Sequence, residues 1–190
     1  MPYEPPPELA SLSLDQIAKA VAERKLPPLD QWTPERSGDS EMRIAANGRW
    51  FHQGGEITRP AMVRAFSGLL TRDQQGQHWL VTPFERLSIA VEDAAFIATD
   101  MEAKTDDAGG ITLAFRLNTD EIVLCGPDHP LRMAGTDEVP AFYLSVRHGT
   151  EARLNRSTYG QLIEHALAGA GAENLTVESM GQQFSLVPAA

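Results

Sequence analysis

The sequence predicts an α+β protein of two similar lobes, each a small antiparallel sheet packed with one helix. Three observations lead there. Short strand-like runs bounded by turn residues recur along the chain, two amphipathic helical stretches interrupt them, and a shift of 97 residues lays one such unit over the other. At that offset Thr58 falls on Asn155, both good N-cap residues, and Arg59 falls on Arg156 at the first helical position. Met62, Phe66, Leu69 and Leu70 fall on Tyr159, Ile163, Ala166 and Leu167, an apolar stripe at i, i+4, i+7 and i+8 in each copy. The expected lobes are residues 1–94 and 95–190, joined near Asp93 to Phe96, with a groove between them as the natural place for a ligand.

Along the chain, a proline-rich lead gives way to "SLDQIAKAVAERK", where Ser13 and Gln16 have capping-box spacing and Leu14, Ile17 and Val21 share a helical face that should dock. "LPPLDQWTPERSGDSE" reads as an ordered loop pinned by Trp32. Strands are expected around 42–46, 49–53 and 55–58, then a helix over 59–70, then strands in "HWLVT" and "RLSIAVE". Gly54 and Gly55 lie between two short strands and precede a helix. They match neither a phosphate loop, which ends in Gly-Lys-Ser/Thr, nor a three-glycine dinucleotide fingerprint, so they read as a hairpin turn. The second half offers "AFIATDMEA", "ITLAFRL", "EIVLC", "AFYLSVR" and "ARL" as strands, a helix from Arg156 to about Ala168, and then "LTVES" and "FSLVP".

Composition bounds the function. The 190 residues are 42% hydrophobic and 22% charged, as in ordinary globular proteins. A net charge of −10 argues against a broad nucleic-acid or anionic-membrane surface, while leaving room for an isolated basic pocket. Cys125 is the only cysteine, which excludes a disulfide framework and a cysteine-built zinc site. The start "MPYEPPPELASL" lacks a signal-peptide pattern and no run approaches 18 apolar residues, so the expected location is the cytoplasm.

Among candidate residues, Arg59 and Arg156 stand where the helix dipole disfavours a cation. Their compensation is either an acidic neighbour, such as Glu56 or Glu151, or a bound anion shared with helix amides. Glu85, Glu92 and Asp93 could act as acid and base or hold a divalent metal; at the lobe junction they read better as polar interface contacts. His52, His78, His129, His148 and His165 show no metal-ligand spacing, and no serine sits in a nucleophile elbow. Catalytic, cofactor and metal residues are therefore not expected.

The blocks "GRWFHQGGEITRP", "LVTPFE", "VED" and "ARLNR" resemble the bacterial family catalogued as domain of unknown function 1285, with a likeness running from about Leu26 to the end. "IAANG" stands where an acidic residue often precedes the glycine, and "EDAAF" where proline often precedes the phenylalanine. The resemblance implies a duplicated core, a second domain loosely like a pleckstrin-homology fold, no established enzymatic activity, an interface pocket suited to a nucleotide-like ligand, and a role in signal transduction. On this reading the ligand-binding residues are Trp50, His52, Arg59, Thr82, Glu85, Glu92 and Asp93 from the first lobe, with Arg147, Arg153 and Arg156 from the second. Guanidinium groups would take phosphate or carboxylate, Trp50 or His52 would stack, and the acids would orient arginines or read hydroxyls. Two alternatives stand beside it: a protein–peptide interaction module, and a metal-dependent enzyme using Glu85, Glu92 or Asp93.

Overall fold

The computed structural model describes residues 6–136, 138–170 and 175–187, so residues 1–5 of the proline-rich lead lie outside it. A single 3-10 turn, Leu9–Ser11, leads into helix α1, Leu14–Glu23. The helix starts where the sequence says it should: Ser13 Oγ accepts from the Gln16 N–H, and Gln16 Oε1 accepts from the Ser13 N–H. Ile17 is fully buried beside Leu9 and Ala114, with Ile122 and Leu124 packed against them. The leader thus docks on the C-terminal sheet, although it precedes the N-terminal one in the chain.

The N-terminal sheet contains β1 (Arg36–Ile44), β2 (Trp50–His52), β3 (Gly55–Glu56), β4 (Leu70–Arg72), β5 (His78–Val81) and β6 (Glu85–Val91), in the spatial order β3-β2-β1-β6-β5-β4. Two three-stranded meanders are joined at the middle by a parallel pair, β1 against β6. The sheet is therefore mixed, where the sequence predicts an antiparallel one. At the β2–β3 turn Gln53 and Gly54 have φ of 48° and 81°, both positive as a two-residue hairpin loop requires. Helix α2, Pro60–Ser67, connects the two opposite edges and so crosses a face, where Phe66 stacks on Trp50 at 6.3 Å. It begins one residue later than the spacing predicts, with Arg59 as N-cap and Pro60 at the first position, which suits a residue with no N–H to lose.

The C-terminal sheet repeats this plan. Strands β7 (Phe96–Thr105), β8 (Ile111–Leu117), β9 (Ile122–Leu124), β10 (Leu131–Gly135), β11 (Pro140–Ser145) and β12 (Glu151–Leu154) take the order β10-β11-β12-β7-β8-β9, again with a central parallel pair, β12 against β7. The repeat is thus strand for strand, β1–β6 with β7–β12. The helices do not correspond: α2 lies between the third and fourth strands of its sheet, whereas α3, Arg156–Ala170, follows the sixth. The 97-residue overlay of α2 on α3 matched two amphipathic stripes, a pattern any core-facing helix carries. After α3 the hairpin β13 (Thr176–Ser179) and β14 (Gln182–Ser185) is tied to the sheet by buried Ser179, whose Oγ accepts from Leu113 N–H at 2.8 Å and donates to Cys125 O at 2.7 Å.

One buried cluster runs through both domains, from Ile44, Trp50 and Leu70 to Phe96, Phe115 and Phe142. Each such side chain contributes about 1.5–3 kcal/mol by leaving water, so the two sheets share a core as well as a linker. No helix of the described residues is long and apolar enough to cross a membrane.

Candidate functional site

The seam between the domains is organised by the link from β6 to β7. Glu92 accepts from the Ala46 N–H at 2.9 Å and from the Arg43 guanidinium, and these bonds, the backbone one first, hold its carboxyl below the ordinary value. Asp93 turns to the other domain. Its Oδ2 accepts from Arg153 Nη1 at 2.9 Å and its Oδ1 from the Tyr143 hydroxyl at 2.6 Å.

Strand alternation explains who meets Asp93. In β12, Ala152 and Leu154 are buried while Glu151 and Arg153 face outward. Arg153 is the register partner of Tyr143, which is the partner of Arg132, so the three side chains form a ladder on one face. Both guanidiniums flank the Tyr143 ring, at 4.6 Å and 5.4 Å from its centroid. Burial and the bond to Asp93 push the Tyr143 hydroxyl above its ordinary value, which keeps it a donor at neutral pH. Arg132 is spent on Glu151 through two bonds of 2.9 Å.

Arg156 is left over. Its exposed side chain makes no ion pair or hydrogen bond among the described residues, and it opens α3 just after Asn155, whose Oδ1 caps the Thr158 N–H at 2.8 Å. Arg156, Arg153 and Asp93 line a cavity of about 510 Å³ whose opposite wall is Ala46 and Asn47 of the N-terminal domain. The neighbouring Gly48 has φ of 85°, and a Cβ there would stand 2.7 Å from Ile97 Cγ1 and 2.8 Å from Asn118 Nδ2.

The structure brings Asp93, Arg153 and Arg156 together, with Glu92 at the rim through Ala46. It separates the others. Trp50 is only 2% exposed and stacked on Phe66, so it is core and cannot stack on a ligand. His52 is exposed at the edge hairpin. Arg59 is exposed and unpaired among the described residues, but lines no cavity with Arg156, because α2 and α3 occupy different places in their domains. Thr82 and Glu85 form the β5–β6 turn, where Thr82 Oγ1 accepts from the Glu85 N–H at 3.1 Å. Glu85 opens β6 and Glu92 follows its end, about 23 Å away at roughly 3.3 Å per residue, so the three acids share no site. No group of three or more potential metal ligands occurs among the described residues. Arg147 is largely covered behind the seam, its side chain 11% exposed, against Glu121 and over the Phe96 ring. Tyr143 and Arg132 escaped the sequence reading. The alternation of "AFYLS" marks Tyr143 as outward, yet only the register shows what it faces.

The comparisons with known proteins agree with this architecture. Residues 27–94 match the N-terminal domain, and residues 95–186 the C-terminal domain, of a family described as being of unknown function, DUF1285. A crystal structure of a DUF1285 family protein from Silicibacter pomeroyi DSS-3 is 35% identical, with a TM-score of 0.76 over 93% of this chain and 96% of that one. The chain belongs to the DUF1285 family. A second DUF1285 family structure, from Shewanella baltica OS155, shares the fold at 22% identity and a TM-score of 0.52, over 65% of this chain and 90% of that one. No curated protein matches. Within DUF1285, then, the chain carries both of the family's domains, with the leader helix α1 ahead of the first.

Proposed function

We propose that this DUF1285 protein is a non-enzymatic cytoplasmic sensor that binds an anionic, nucleotide-like small molecule in the seam cavity and serves signal transduction. The observation that carries the reading is Arg156: an exposed guanidinium with no acidic partner among the described residues, at the first turn of a helix, on a cavity walled by both domains. On that face Arg132 and Arg153 are already balanced by Glu151 and Asp93, so the unbalanced charge is positive and local to the cavity. An anion accepted there would contact both domains and stiffen their junction, and that stiffening is the signal. A volume of about 510 Å³ lies within the roughly 300–1,000 Å³ of small-molecule sites.

Thermal-shift titration with adenine and guanine nucleotides tests this. A ligand of the native state must raise the melting temperature, and Arg156→Glu should abolish the rise while leaving the unliganded melting temperature within about 2 °C, as for an exposed substitution. Unchanged melting at millimolar nucleotide, or equal stabilisation of Arg156→Glu, would end the reading.

A further inference from the structure

Three asparagines line the Arg156 cavity, and the backbone decides which end of each amide is free. Asn47 lies in the β1–β2 turn, Asn118 in the β8–β9 turn and Asn155 immediately ahead of α3, so they come from three separate elements and from both domains. In each, a backbone N–H, which can only donate, takes the side-chain oxygen: Asn47 Oδ1 accepts from Arg49 at 3.1 Å, Asn118 Oδ1 from Ile97 at 3.0 Å and Asn155 Oδ1 from Thr158 at 2.8 Å. The amide nitrogens remain. Asn118 Nδ2 reaches Gly48 O at 3.5 Å, beyond the usual length of such a bond, while Asn47 Nδ2 and Asn155 Nδ2 have no acceptor among the described residues.

The other polar side chains of the wall lean the same way. Arg156 makes no ion pair or hydrogen bond among the described residues, and Arg153 gives only Nη1, to Asp93 and to the Tyr143 oxygen, so its Nη2 and Nε stay available. Asp93 is the one carboxylate on the wall, and each of its oxygens already accepts a bond, Oδ1 from Tyr143 and Oδ2 from Arg153. Glu92 at the rim is engaged likewise by the Ala46 N–H and Arg43. Thr99 gives its hydroxyl hydrogen to Arg116 O at 3.3 Å. The wall therefore offers N–H donors in excess, and a group made of acceptors is what satisfies them. A phosphoryl group brings three peripheral oxygens and negative charge; a carboxylate brings two oxygens, and a nucleobase edge mixes donors with acceptors.

We propose that the seam cavity holds its ligand by a phosphate monoester group, between the Asn47 amide of the N-terminal domain and the Asn155 amide and Arg156 guanidinium of the C-terminal domain, and that this group, in place of the base, carries recognition. The inference rests on the reading of the cavity as an anion site and adds two binding residues and the part of the ligand they bind. A sugar phosphate is then a ligand in its own right.

Isothermal titration of the full chain with AMP, GMP, ribose 5-phosphate, gluconate and adenosine tests the proposal. The three phosphates should bind with dissociation constants within about five-fold of one another, gluconate about ten-fold more weakly for its missing oxygen, and adenosine not saturably. Asn155→Ser and Asn47→Ser each keep an oxygen for the backbone N–H and lose only the amide, with no change of charge. Each should weaken ribose 5-phosphate about ten-fold, as the loss of one hydrogen bond to a charged group does, and leave the unliganded melting temperature within about 2 °C. Should one variant not fold, the other carries the test. Ribose 5-phosphate binding more than about ten-fold below AMP, gluconate matching ribose 5-phosphate, or serine variants that bind as the wild type does would overturn this inference and leave an Arg156-dependent nucleotide site standing. Adenosine binding as tightly as AMP, or no binding by any probe, would overturn both.

Discussion

Substituting Gly48 by alanine tests how tightly the domain seam is built. Two separate costs act there. With φ at 85° an L side chain is strained, at about 1–2 kcal/mol. The added Cβ would also lie 2.7 Å from Ile97 Cγ1 and 2.8 Å from Asn118 Nδ2. Neither neighbour retreats freely: Ile97 belongs to β7, and Asn118 is held by the Ile97 N–H donating to its Oδ1 at 3.0 Å. Overpacking of this kind costs about 1–3 kcal/mol, which brings Gly48→Ala to about 2–5 kcal/mol in all. Gly109 is the matched control, because its φ of 86° is the same while a Cβ there meets nothing within 4 Å. Gly109→Ala should therefore cost only the strain, about 1–2 kcal/mol. Urea unfolding of both variants at one temperature reads the difference directly, and a thermal scan should lower the melting temperature by about 2–4 °C per kcal/mol for a protein of this size. Equal destabilisation of the two variants would show that the seam yields at Gly48 and would refute the close-packed description of the cavity wall.

Two other predictions concern the seam. Asp93→Ala and Arg153→Ala should each destabilise, and a double-mutant cycle should give a coupling of about 1–2 kcal/mol, because the pair is charged, hydrogen-bonded and only 24% and 34% exposed; a coupling near zero would mean that the contact does not tie β12 to the link. Burial, with Arg72 adding, holds the His78 imidazole below its ordinary value of 6.5, so the unfolded chain binds a proton that the folded chain refuses. His78 therefore contributes a loss of stability as pH falls from 6.5 toward its lower folded value, and none above 6.5. Urea midpoints of the wild type should fall over that range relative to those of His78→Gln, and parallel profiles would contradict the assignment.

Local chemistry was legible in the chain. Ser13 and Gln16 announce a helix start that the structure forms with both reciprocal bonds, and the turn between β2 and β3 takes positive φ at Gln53 and Gly54, one residue earlier than the Gly54–Gly55 pair suggested, with Gly55 opening β3. The alternation of "EARL" places Arg153 on an outward face. Each of these rests on a few consecutive residues, so each can be read in order. The site was legible only in part: Arg153, Arg156 and Asp93 do converge, while Trp50, equally plausible as a stacking residue from its type, is sealed against Phe66. Residue type cannot distinguish a core tryptophan from an exposed one when the neighbour that covers it comes from another element.

The sequence by itself determined the periodicities, and with them the α+β class, the helix start at Ser13 and a hairpin turn at the glycine pair Gly54–Gly55, to within one residue. Only the tertiary structure decided that β1 lies parallel to β6 and β7 to β12, that the leader settles on the C-terminal sheet, and that Arg147 and Arg24 meet on one glutamate, Glu121. The physical reason is one of range. Turns and faces are fixed by neighbours in the chain, whereas partners such as Arg43 and Ala90 are distant in it, and closing a long loop costs little more than closing a short one. Which long-range partners meet is settled by the burial of a core shared by both sheets, and that is a property of the assembled fold.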